Sequence, residues 1–357
     1  MDFSLTDDQE SLRGLAADIF GGRATQSRVE EVEATDERFD RDLWLEIAKA
    51  GLVGVALPEE HGGLGLGVVD LAVVCEELGR VVAPVPLVWT ACAAMTVATH
   101  GSTDQQQRWL PGVVSGDVVL TTAVPLVAAG VRLDGDRVTG VLHGVPYAHV
   151  AAAVLVPVGD RVYAIDPAGE GVTMELGTAT SREVHGVLHL DGAVAEPVGG
   201  DGAAAYLWQR TVVALAAVTA GGTAAALRLA ADYTSQRHQF GKPLSTFQGV
   251  ALKAADGYID NVAIRSTMQQ AAWRLDRGED ATAQVLTAAW WAAEGGQHCV
   301  HITQHLHGGM GADTTYPVHR YFLWGKQIEQ MLGGASALLA QLGEVVPDVP
   351  GDALNLS

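Results

Sequence analysis

The chain has 357 residues, 48% of them hydrophobic and only 6% aromatic, a length that gives two or three domains with interiors built from Ala, Val and Leu rather than from large rings. Acidic residues number 42 against 22 basic ones, a formal charge of -20, which repels nucleic acid phosphates and anionic membrane surfaces. Any anionic ligand must therefore be met by a local cationic patch.

The N-terminus, MDFSLTDDQE, places acids where a secretory signal needs basic residues before an apolar run, so export is not expected. Cys75, Cys92 and Cys299 form no CxxC pair, which reads as three small buried side chains in a reduced, cytoplasmic setting. Up to residue 117 the spacing is helical. Thr6 and Gln9 form a capping box ahead of a helix whose Leu12, Leu15, Ile19 and Phe20 share a face, and Thr103 with Gln106 repeats the device. From 118 to 198 the pattern changes to short β-branched runs, with Asp134-Gly135 and Gly159-Asp160 as hairpin connections. From 199 onward helical spacing returns, in segments near 203–236, 245–276, 280–306 and 318–343. Long helices with short loops predict an antiparallel four-helix bundle. Within the first of them, TVVALAAVTAGGTAAAL (Thr211 to Leu227) approaches the length of a membrane span. Its three threonines and Gly-Gly pair fit a helix buried inside a bundle better, so no membrane is expected. The fold class is α+β.

Arg237-His-Gln-Phe-Gly241 follows the first long helix of the bundle, with Phe247-Gln248 just after. LPEEHGGLGLG stands at 57–67, CEELGR at 75–80, RWLPGVVSGD at 108–117 and HLHGGMGADTTYPVHRYF at 305–322. With these motifs in both helical zones, the chain resembles the acyl-CoA dehydrogenase family. That resemblance implies an N-terminal helical domain, a small middle β domain and the C-terminal bundle. It also implies FAD at a subunit interface, with the arginine of the Arg237 element donated to the neighbouring subunit. A guanidinium suits a pyrophosphate, an aromatic ring packs on a flat one, and a glycine admits close backbone approach. The cofactor-binding residues carried over are Arg237, Gln239, Phe240, Gly241, Gln248, His305, Gly308 and Gly309. His305 stands where relatives carry the glutamine that lies near the adenine.

In the family a glutamate removes the proton alpha to a thioester while a hydride from the beta carbon passes to the flavin. Such a base must be ionised near neutral pH. Counting without gaps puts it at Leu332, in QMLGGAS, and the alternative position on the first bundle helix at Thr211. Neither side chain accepts a proton. LTTAVPLVAAG (120–130) and GVLHGVPYAHV (140–150) likewise lack the polar groups with which relatives grip the isoalloxazine. The resemblance then runs to the non-catalytic subunit of bacterial heterotetrameric acyl-CoA dehydrogenases, notably those of actinobacterial steroid side-chain breakdown. It implies an α2β2 complex with a homologous catalytic chain, an acyl-CoA substrate and electron-transfer flavoprotein as acceptor.

Three alternatives stand beside this reading. Glu329 or Asp313 could serve as a displaced base in a homo-oligomeric dehydrogenase. His298, Cys299, His301 and His305, in HCVHITQHLHGG, are of a type that holds metals, although packing or cofactor-adjacent roles are expected and no metal ligand is assigned. Lastly, the chain could be a scaffold that has lost all contact with the cofactor.

Overall fold

The computed structural model describes residues 3–124 and 130–346. Six helices come first: α1 (Asp7–Arg23), α2 (Gln26–Glu33), α3 (Arg41–Lys49), α4 (Val68–Val81), α5 (Leu87–His100) and α6 (Thr103–Ser115). The predicted capping box opens α1: the Gln9 N–H donates to Thr6 Oγ1 (3.3 Å) and the Thr6 N–H to Gln9 Oε1 (3.1 Å). At α6 the same device is shifted by one residue, to Ser102 and Gln105. Gln105 is the partner because its amide is buried against Glu196 and the Pro197 carbonyl, whereas Gln106 reaches back to the Ala98 and Gly101 carbonyls. On α1 the buried stripe is Leu12, Ala16 and Phe20, and Leu15 stands 44% exposed. At 3.6 residues per turn these three spread over about 80° of the helix, and Leu15 lies about 100° from the middle of that stripe, on the solvent side.

The middle region is two four-stranded sheets. One has the order β1 (Leu120–Thr122), β4 (Ala153–Val158), β5 (Arg161–Ile165) and β8 (Glu196–Pro197), with β1 parallel to β4; the other runs β2 (Arg132–Asp134), β3 (Arg137–Pro146), β7 (Val184–Val194) and β6 (Val172–Thr178), all antiparallel. Gly159-Asp160 joins β4 to β5 as expected, since Val158 pairs with Arg161. The other hairpin turns on Gly135-Asp136, because Asp134 is still in the ladder, opposite Arg137. Val138, Leu142, Val154, Ile165 and Leu188 fill the space between the sheets. Leu120, Leu155 and Val162 from the first sheet enter the main helical core, and Thr90 of α5 donates to the Leu120 carbonyl at 2.8 Å. The β region is therefore fused to the helices along one face.

The C-terminal bundle is α7 (Ala203–Gln236), α8 (Gln248–Asp276), α9 (Thr282–Leu306) and the pair α10 (Val318–Met331) and α11 (Ala335–Val345). The last segment breaks in two where continuity is expected from the sequence. Gly333 and Gly334 take φ of +92° and +82°, a left-handed backbone that ends a helix.

One helix, α7, is long and apolar enough to cross a membrane, but 72% of its most apolar window is buried inside the protein. The hydroxyls of Thr211, Thr219, Thr223 and Thr234 each donate to the carbonyl four residues back, at 2.7–2.9 Å. This satisfies them without a partner helix. Asn261 of α8 adds bonds to the Ala220 carbonyl and Thr223 Oγ1, both 2.8 Å.

The tightest contact in the molecule is the crossing of α4 and α7. A Cβ at Gly79 would lie 2.1 Å from the Val218 carbonyl oxygen, and one at Gly221 would lie 1.9 Å from that of Glu76. The two backbones touch because each helix offers a glycine at the crossing. Asp276 at the end of α8 strengthens the junction by accepting from the Val68 and Val69 N–H groups at the start of α4 (2.6 and 2.9 Å). Gly221→Ala gains about 1 kcal/mol of helix propensity but drives a methyl into a backbone oxygen, so a net loss on the order of 2 kcal/mol is expected from overpacking. Gly222→Ala, whose methyl meets nothing closer than 3.5 Å, should be neutral or stabilising. Denaturant unfolding of the two variants checks this contrast.

Candidate functional site

The stretch from Arg237 to Gln248 forms a small projection at one end of the bundle. Arg237 caps α7 in an extended conformation. The chain then makes a hairpin of β9 (His238–Gln239) and β10 (Lys242–Pro243), closed by Phe240 and Gly241 with φ of +53° and +79°. Two positive φ angles are what a tight two-residue hairpin demands, and Asn or Gly normally supplies the first. A phenylalanine there costs about 1–2 kcal/mol, and no burial offsets it: Phe240 is 91% exposed. Its ring meets only Phe247, edge-on at 6.2 Å, while Lys242 Nζ sits 4.4 Å from the Phe247 ring centre. A strained backbone presenting a large exposed ring is a feature of sites that contact something else.

Arg237 is exposed, and among the described residues no carboxylate pairs with it. The ordinary fate of an arginine at a helix end, a surface ion pair, is thus not realised here. Gln239 and Gln248 are also exposed, the first donating to the neighbouring His238 carbonyl (2.8 Å) and the second opening α8. His305 is exposed near the end of α9, and Gly308 and Gly309 follow in a short turn with open space where a Cβ would stand. Ala230, Ile302 and Leu306, with Val250 and Ala254 against them, form a small apolar cluster that joins α7, α8 and α9 at this end. The hairpin and the glycine turn are therefore carried on elements that pack together.

The two positions that the gapless count assigns to a base are interior. Leu332 is 3% exposed and belongs to the main core. Thr211 is buried, with its hydroxyl committed to the Leu207 carbonyl at 2.8 Å. Neither substitute acid is free. Glu329 is paired with Lys326 at 2.5 Å, and Asp313 accepts from the N–H and hydroxyl of Thr315 (2.9 and 2.8 Å), bonds that hold its carboxyl below the usual range. Burial raises three other carboxyls, and each has a partner: Glu77 with Arg80, Asp260 with His298, and Asp276 with the α4 backbone.

The β region is equally closed. Thr121 and Thr122 of LTTAVPLVAAG spend their hydroxyls on the Pro146 and Leu155 carbonyls (2.6 and 3.1 Å); residues 125–129 of that stretch lie outside the described residues. In GVLHGVPYAHV, Tyr147 is fully buried, edge-on to Phe39 at 5.9 Å and stacked on His149 at 6.4 Å. Aromatic packing occupies this stretch. In HCVHITQHLHGG, burial pushes the Cys299 thiol far up, His298 is bound to Asp260 (2.7 Å), and His301 packs edge-on to Phe322. No group of three or more His, Cys, Asp or Glu residues is placed to hold a metal ion among the described residues.

One feature of the surface escapes the motif reading. Leu252, Tyr258, Ile259 and Val262 stand exposed along α8, with Tyr258 at 64%, while Gly257, Ile264 and Met268 line the opposite, buried side. The sequence signal is there, since α8 is apolar on both faces.

Two family profiles fit the chain: Acyl-CoA dehydrogenase, N-terminal domain, over residues 6–117, and Acyl-CoA dehydrogenase, C-terminal domain, over residues 203–344. The chain is 38% identical to "Acyl-CoA dehydrogenase FadE27" of Mycobacterium tuberculosis, across 98% of this chain and 100% of that one. It is 35% identical to FadE28 of the same organism, across 85% and 92%. Among solved structures, a chain of the "Tcur3481-Tcur3483 steroid ACAD G363A variant" superposes with a TM-score of 0.91 at 44% identity, covering 95% of this chain and 97% of that one. A chain of the ChsE4-ChsE5 complex from Mycobacterium tuberculosis gives 0.92 at 36%, covering 98% and 100%.

If Phe240 is held in a strained turn for a purpose other than folding, Phe240→Asn should raise the stability of the isolated chain by about 1 kcal/mol, since Asn tolerates the left-handed region. Chemical denaturation of the two proteins measures the difference.

Proposed function

Because the chain belongs to the acyl-CoA dehydrogenase family, we propose that it is the non-catalytic subunit of a heteromeric acyl-CoA dehydrogenase that completes the FAD site of a homologous catalytic partner. The observation that carries this reading is the coexistence of an unpaired Arg237 beside a strained, exposed Phe240 with two base positions, Leu332 and Thr211, that are buried and unable to take a proton. The residues of the chain fit one half of the cofactor and not the other.

On the fitting side, Arg237 offers a fixed fork of N–H donors to a pyrophosphate. Phe240 offers a ring face, Gly241, Gly308 and Gly309 offer backbone without side chains, and Gln239, Gln248 and His305 offer hydrogen-bonding groups. On the other side, the Thr121 and Thr122 hydroxyls and the Tyr147 ring are turned inward. When bound, FAD supplies the two-electron acceptor for the alpha,beta-dehydrogenation of an acyl-CoA thioester. This chain holds the phosphates and excludes water at the subunit contact; proton abstraction falls to a glutamate of the partner.

Residues 1–117, 118–198 and 199–357 are the three domains in this account, the middle one shortened. The exposed apolar line on α8 supports a protein contact, since isolated side chains of that size seldom align on a free surface. The two-chain names of the Tcur3481-Tcur3483 and ChsE4-ChsE5 structures support a heteromer, and the word steroid in the first supports a steroid-derived acyl-CoA as substrate; the α2β2 arrangement belongs to the same proposal. Electron-transfer flavoprotein is the acceptor that the family relationship favours.

Arg237→Ala in the co-purified complex is the test. Loss of a charge-assisted pair worth about 1.5–3 kcal/mol should lower FAD affinity roughly tenfold to a hundredfold. Flavin content unchanged by that substitution would identify the chain as a scaffold without cofactor contact.

A further inference from the structure

Beside the glycine turn lies a groove of about 460 Å³ faced by Lys253 of α8 and by His298, His301 and His305 of α9, with Gln304 and Gly308 at its edge and no carboxylate in its lining. In a chain carrying a net -20, a concave surface bordered by four basic side chains and no acid is an exception. The three histidines fall at i, i+3 and i+7, so they share one helix face, and all three are exposed. Lys253 is the fifth residue after Gln248, and the apolar cluster of Ile302, Leu306, Val250 and Ala254 holds the two helices together beneath the groove. Gln304 Nε2 donates to the Gly311 carbonyl at 3.0 Å and so fixes the turn that closes one end.

Resting on the shared FAD site described above, we propose that this groove is a proton-controlled phosphate seat. Lys253 supplies a permanent cation, and His298, His301 and His305 add charge on protonation, tightening the hold on the dinucleotide's phosphates as the pH falls.

The need for the histidines follows from where they stand. The groove opens at the carbonyl end of α9, whose partial negative charge disfavours an anion and favours imidazolium. Neutral histidines leave Lys253 alone against that field, while protonated ones reverse it and present N–H donors to phosphate oxygens.

The surrounding charges are accounted for on each packed element. On α8, Asp260 accepts from His298 Nδ1 at 2.7 Å, and Asp256 stands near Asp260. On α9, Glu294 adds a further acid. On α10, Lys326 and Glu329 face His301 but are paired with each other, and in the turn Asp313 is bound to Thr315. Burial, then Lys326, holds His301 below its ordinary value of 6.5 and so disfavours its charged form. A phosphate beside it would raise it again. Binding therefore takes up protons, and each fully coupled proton is worth about tenfold in affinity per pH unit.

The experiment uses the complex co-produced with its homologous partner and follows FAD release by the fluorescence of free flavin at about pH 6 and about pH 8, on either side of histidine's ordinary range. Wild type should release FAD about tenfold more slowly at the lower pH. The triple variant His298→Gln, His301→Gln, His305→Gln should lose that difference, and Lys253→Gln should release faster at both pH values while keeping it. Release independent of pH in wild type, or a triple variant that keeps the full difference, overturns the inference. The Arg237→Ala complex separates the two levels. A complex that holds no flavin, or keeps it after that substitution, overturns the shared site and this inference together. One that loses flavin through Arg237→Ala yet shows no pH dependence overturns the inference alone.

Discussion

An exposed arginine at the base of a hairpin organises the account. The chain carries 42 acidic side chains, and most of its arginines find one: Arg28 with Asp40, Arg80 with Glu76 and Glu77, Arg320 with Glu33. Arg237 is among those that pair with no carboxylate of the described residues, although it stands at a helix end where an acid one turn away would suffice. Leaving it free at the base of a hairpin whose tip residue is strained makes sense when the anion that completes it comes from outside the chain. The rest of the bundle end, with its small residues and basic groove, is compatible with the same kind of visitor.

The interior tells the complementary story. The two positions that the gapless count assigns to a base are filled by packing. Leu332 sits at the end of α10 inside the main core, Thr211 satisfies its own helix, and Tyr147 is wedged among Phe39 and His149. A buried carboxylate without a partner is expensive to keep, and leucine at this buried position carries no such cost. The close crossing of α4 and α7 and the cap that Asp276 places on α4 are independent of that exchange.

Much of this was legible in the sequence, and the parts that were not have definite reasons. Periodicity separated helical, β and helical zones, and α7 was read to its observed ends. Helical spacing runs unbroken through Gly333 and Gly334, whereas their positive φ divides α10 from α11. Helical spacing placed Leu15 on the face of Leu12, Ile19 and Phe20, but the buried stripe is Leu12, Ala16 and Phe20. Motif spacing pointed to Arg237, Phe240, Gln248 and the glycine turn. No one-dimensional pattern reveals that Arg237 lacks an internal acid, that Phe240 is left-handed, or that Lys253 of α8 meets three histidines of α9 across a groove. These depend on which helices pack, a three-dimensional relation. The exposed line of Leu252, Tyr258, Ile259 and Val262 could have been found earlier, because a helix apolar on both faces needs two neighbours.

The central claim is that this polypeptide supplies part of a cofactor site and no base. It is tested most directly by the visible absorbance of the chain produced alone and produced together with its homologous partner, each assayed with an acyl-CoA and an artificial electron acceptor. The account predicts a colourless, inactive chain in isolation and a yellow, active preparation only from the pair. A yellow chain that reduces the acceptor by itself would contradict it.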